Sequence, residues 1–103
     1  MNTPLVLPAE ITIYVISELR TAWLAWLDGL ANDDAEVAVD GQAVDEVDAA
    51  GLQALLALSH SLLARQQRLR LHPASATLRT ACGRLGLGHL LVQAPAEPEG
   101  ART

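Results

Sequence analysis

A chain of 103 residues with a formal charge of −5 fits one domain, which at this size hides roughly two-thirds of its unfolded surface and leaves no room for a second. Half of its residues are apolar, yet the only aromatic ones are Trp23, Trp26 and Tyr14, so the interior has to be built from Leu, Val, Ile and Ala. The seven basic residues are all arginine and lie scattered along the chain; this argues against nucleic acid as a partner and excludes chemistry that needs a lysine amino group, such as Schiff bases or a P-loop. Cys82 stands alone, so no internal disulfide and no cysteine-built metal site can form within one chain, and a reducing compartment is expected. No basic residue precedes the first apolar stretch, and no run approaches the ~18 apolar residues of a membrane helix. A cytoplasmic protein with no direct membrane insertion is expected.

Leu5 to Leu7 form a short apolar run between Pro4 and Pro8, which suits an edge strand. From about Ser17 to Leu30 the residues Leu19, Ala22, Trp23, Trp26, Leu27 and Leu30 recur every three or four positions and predict an amphipathic helix. Asn32, Asp33 and Asp34 make a turn, and Val37 to Val39 then form a buried strand that ends at Asp40-Gly41. A second helix starts at Asp48, whose carboxylate accepts from free N–H groups of the first turn, and runs to about Gln66 with Leu52, Leu55, Leu56, Leu62 and Leu63 inward. Leu69 and Leu71 alternate with Arg68 and Arg70 in a strand that stops at His72-Pro73. Pro73 and Ser75 open a third helix with Leu78, Ala81, Cys82 and Leu85 inward, and Gly86 and Gly88 close it. His89 to Gln93 suit a last short strand, and residues 94–103, rich in Pro, Glu, Ala and Gly, suit a disordered tail. The alternation of strands and helices predicts an α/β domain over residues 1–93, with about four mostly parallel strands, three helices and one sheet face partly open.

The most informative stretch leads from the strand at Val37 through the acidic loop Asp45-Glu46 into Asp48-Ala49-Ala50-Gly51-Leu52. It resembles the STAS family of sulfate transporters and anti-sigma-factor antagonists, in which a strand is followed by Asp, Ser or Thr, a small residue and Gly-Leu at the start of the second helix. Residues 8–12, 69–71 and 85–87 extend the likeness over about residues 5 to 92. In regulated members the hydroxyl is phosphorylated, where a phosphate meets free N–H groups and the positive end of the helix dipole. Here that position is Ala49, followed by Ala50, and neither has an oxygen to modify.

The resemblance implies a STAS fold and a non-catalytic interaction module without a cofactor. Its partner would be a kinase-like anti-sigma factor, a transporter ATPase such as that of the lipid-asymmetry system, or a chemotaxis protein. Asp45, Glu46, Asp48, Ala49, Ala50 and Gly51 are the expected partner-binding residues. The leading expectation is binding of a signalling or transcription regulator without phosphorylation at the usual site. The alternatives are a cytoplasmic STAS subunit of an ABC lipid transporter and an accessory protein of a chemotaxis cluster. Control could act through expression, through the partner, or at Ser17, Ser59 or Ser61. A homodimer formed through an open sheet edge is also left open.

Sharper chemistry has weaker support. Asp40, Asp45, Glu46 and Asp48 could gather a hard cation, but a solvated loop with Asp48 as a helix cap explains them with less. A hydrolase or phosphotransfer site using the acidic loop and His60 lacks its nucleophile at Ala49, and adjacent helix residues such as Ser59 and His60 point in different directions. His72 and His89 suit turns, Cys82 suits the core, and Trp23 or Trp26 could anchor a partner. Arg65, Arg68 and Arg70 gather near the end of the second helix, where cations complement its dipole.

Overall fold

The computed structural model describes residues 4–31 and 33–88. In chain order these form β1 (Leu5–Val6), β2 (Glu10–Ile11), α1 (Ile16–Asp28), β3 (Glu36–Gly41), β4 (Glu46–Val47), α2 (Ala49–Ala64), β5 (Arg68–Ala74) and α3 (Ala76–Arg84). All the strand pairs are parallel: β1, β3 and β5 make one sheet with β3 central, and β2 with β4 makes a second, two-stranded one. The expected α/β architecture with three helices is present. β2 lies within residues 8–12, which resemble the family's early strand and turn; β4 was not foreseen, because a two-residue strand carries no readable period. The strand expected at His89 to Gln93 and the tail expected over 94–103 lie outside the described residues.

The period-2 alternation of β3 and β5 determines which sheet face is covered. Val37 and Val39 on β3 and Leu69 and Leu71 on β5 are buried, together with Leu52, Leu55, Leu58 and Leu62 of α2 and Leu78 and Cys82 of α3. On the opposite face Glu36, Ala38, Arg68, Arg70 and His72 are exposed, and Arg70 lies 3.2 Å from Glu36. The inward stripe of α2 therefore runs 52, 55, 58/59 and 62, and it corrects the expectation for Leu63, which is exposed. Leu62 lies on that stripe, and Leu63, about 100° further round the helix, falls outside it. Leu85 is exposed as well, because it caps α3 rather than continuing its stripe, and Ala22 faces outward on α1.

The helix ends follow from local hydrogen bonding. Ser75 caps α3 through the N–H of Leu78, which donates to its hydroxyl at 3.0 Å. Its other end turns at Gly86, with φ of 72°, and the N–H of Leu87 returns to the carbonyl of Cys82 at 2.7 Å. His72-Pro73, expected to end the strand in a turn, is instead part of β5. Val39 pairs with Leu71 and Gly41 with Ala74, so β5 carries one extra residue there, and this bulge accommodates a proline that has no N–H to give to the ladder.

Arg65, the C-cap residue of α2, also reaches across to α1. Its guanidinium donates to the carbonyls of Leu27 (2.9 Å) and Leu30 (2.7 Å) at the C-terminal end of α1. The buried amide of Gln67 donates to Ala31 (3.1 Å) and Asp34 (2.9 Å) in the following loop. Arg68 and Arg70 lie on the open sheet face instead. No helix among the described residues is long and apolar enough to cross a membrane.

Candidate functional site

Asp48 joins three elements. The N–H of Gly51 donates to its Oδ1 at 3.0 Å, closing the first turn of α2, and the N–H of Ile13 donates to its Oδ2 at 3.0 Å. The second bond spans 35 residues and ties the β2–α1 turn to the start of α2. These N–H groups, Ile13 first and Gly51 second, hold the Asp48 carboxyl below its usual value, against a smaller opposing effect of desolvation. The strand preceding it is pinned too, since the N–H groups of Asp45 (2.9 Å) and Glu46 (3.1 Å) both donate to the carbonyl of Ala9.

Gly51 makes this junction close. It is buried, and a Cβ placed on it would fall inside the contact distance of the Ile11 carbonyl oxygen. The backbone of α2 thus rests directly on β2. Ala49 is exposed, Ala50 is half-buried, and Asp45 and Glu46 are exposed on β4 and its approach. Of the six expected binding residues, Asp45, Glu46 and Ala49 present side chains to solvent, while Asp48 and Gly51 shape the turn from within.

The other candidates are dispersed. Asp40 accepts from the N–H of Gln42 at 2.9 Å, and no group of three or more His, Cys, Asp or Glu among the described residues could hold a metal ion. Ser59 is buried and His60 beside it exposed, so the two do not form a pair. Burial raises the Cys82 thiol, as for a core residue. Trp23 is buried and Trp26 half-buried, so neither stands out as an anchor.

The resemblance implied a strand and turn at residues 8–12, but Ile13 and Tyr14 were not singled out. The N–H of Val15 donates to the Thr12 carbonyl at 3.0 Å, which places Ile13 and Tyr14 at the corner, 59% and 88% exposed. The Thr12 hydroxyl accepts from the N–H of Tyr14 at 3.3 Å and donates to Glu10 at 2.6 Å. No local signal marked this corner, because Thr12 to Val15 include none of the Gly, Pro, Asn, Asp or Ser residues that announce a turn.

A family model described as Mlab, STAS domain, matches residues 2–93. The chain belongs to the STAS domain family. No curated protein and no solved structure matches it. STAS domains are generally non-catalytic interaction modules.

The lowered Asp48 carboxyl makes a prediction for this STAS domain. A carboxylate held below its unfolded value contributes stability above that value, 3.8, and loses it as pH falls through the lower folded one. Asp48→Asn is therefore expected to melt below wild type near neutral pH, with the gap closing as the pH drops under 3.8. Thermal melts of both proteins across an acid series check this, and a gap independent of pH would contradict it.

Proposed function

We propose that this STAS domain is a constitutive, non-catalytic interaction module that docks on a protein through β4 and the first turn of α2. The observation that carries the reading is the exposed first turn at Ala49, flanked by exposed Asp45 and Glu46 and held in place by Asp48. A surface of this kind needs roughly 800 Å² on each side for specific binding. With no hydroxyl at Ala49 or Ala50 the phosphorylation switch of regulated members has no acceptor at this turn.

Among the partners implied by the family, the ATPase subunit of an ABC lipid transporter fits best. A permanent subunit needs no switch, and the family model carries the Mlab description. In this reading the protein acts in the cytoplasm, on the membrane's inner side, without entering the bilayer. A second reading, favoured by the motif from Asp48 to Leu52, is an antagonist that binds a kinase-like anti-sigma factor through the same turn.

Titrating the purified chain with the purified transporter ATPase of its source organism, and separately with a kinase-like anti-sigma factor, distinguishes the two. Binding to the ATPase is expected, and Ala49→Arg is expected to weaken it at least about tenfold by placing a long charged side chain in the contact. Ala49→Ser, unphosphorylated, is expected to bind as wild type. Undiminished binding by Ala49→Arg would remove this turn from the interface.

A further inference from the structure

Large apolar side chains at the tip of a short turn gain nothing for the fold that holds them. Ile13 and Tyr14, 59% and 88% exposed, occupy such a tip, and four hydrogen bonds fix the backbone beneath them: Val15 to Thr12, Tyr14 to Thr12, Thr12 to Glu10 and Ile13 to Asp48. The last of these places the pair beside Ala49, because the same carboxylate also closes the first turn of α2. The apolar pair and the proposed docking turn thus form one pre-organised surface. A rigid tyrosine loses little side-chain freedom on binding, which is why this residue is enriched among those that dominate interface energies.

The charges around the pair indicate what covers it. Glu10 pairs in register with Glu46 across the β2–β4 sheet, Asp45 just before Glu46 is exposed, and the Asp48 carboxylate accepts from the N–H of Ile13 itself. A second copy of the chain would bring the same acidic groups to a two-fold contact, and an anionic lipid surface would be repelled. We infer that Ile13 and Tyr14 are the apolar anchor of the docking surface and enter an apolar pocket on the partner protein rimmed by lysine or arginine. This rests on the docking role proposed above and adds the residues that supply its affinity and the chemistry of the partner that receives them.

The test uses the purified transporter ATPase as probe. Ile13→Ala and Tyr14→Ala are each expected to weaken binding at least about tenfold, with melting temperatures unchanged because both side chains are exposed. Leu24→Ala, at an equally exposed apolar position of α1 (62%), is expected to bind as wild type. Binding should also weaken as salt rises. If Ala49→Arg abolishes binding while both turn variants stay within about twofold of wild type, the docking role survives and the anchor is overturned. If the wild-type chain binds neither the ATPase nor the kinase-like anti-sigma factor, both fall together; if it binds the anti-sigma factor alone, the same variants measured against that protein decide the anchor. Loss of self-association in sedimentation, or of binding to phosphatidylglycerol vesicles, in Tyr14→Ala with ATPase binding intact would assign the pair to another occupant and overturn the proposal.

Discussion

Gly51→Ala is expected to destabilise the domain by about 2–3 kcal/mol, because the added methyl group meets backbone and not a side chain that can turn away. In an ordinary helix the same substitution gains about 1 kcal/mol, since glycine is the poorer helix former. Here the Ile11 carbonyl occupies the space, so α2 has to lift from β2, stretching the bonds from Asp48 to Ile11 and from Ile13 to Asp48. Gly83 supplies the control: it lies in α3 with nothing within 4 Å of an added Cβ, and Gly83→Ala is expected to stabilise by about 1 kcal/mol. Thermal denaturation of the two variants should show shifts of opposite sign, with a fall of roughly 10–20 °C for Gly51→Ala. A melt at or above wild type for Gly51→Ala would mean that α2 does not rest on β2. The same variant should lose partner binding, as the turn that carries Ala49 moves with the helix.

The roles of Gly51 and Asp48 show how much of the site could be read from residues alone. The cap at Asp48 was visible, because an aspartate ahead of a leucine-rich helix acts on N–H groups three residues away, and local chemistry of that kind is written in local sequence. Its second bond, to Ile13, joins segments 35 residues apart and has no local signature. Gly51 could be recognised only as part of a family motif, whereas its physical reason, the nearness of the Ile11 carbonyl, depends on where β2 lies. The strands β3 and β5 were legible through their alternation, since one face is buried and the other charged. The pairs β2 and β4, two residues each, are too short for any period to appear. Leu63 was misplaced for a related reason: α2 is apolar on most of its circumference, so composition alone does not say which leucines face the sheet.

The far end of α2 provides a test in which stability and binding should separate. Gln67 is 2% exposed, and its amide donates to the carbonyls of Ala31 and Asp34 while its oxygen accepts from Arg65 Nε at 2.9 Å. Arg65 in turn holds the carbonyls of Leu27 and Leu30, so the two side chains together fasten the end of α1 and the loop after it to the start of β5. Gln67→Leu keeps the volume and removes the bonds, and it is expected to cost about 2–3 kcal/mol. Urea denaturation should show a lower midpoint at unchanged slope. In a double-mutant cycle, Arg65→Ala and Gln67→Leu should be non-additive, because each orients the other; additivity would mean that they act as separate ties. The sixteen residues of α2 put this cluster about 24 Å from the turn at Asp48, so at temperatures where the variant remains folded its affinity for the partner should match wild type. A parallel loss of affinity would show that the docking surface extends to the end of α1 or that the helix does not carry the two ends independently, and either result would redraw the interface proposed at β4 and the first turn of α2.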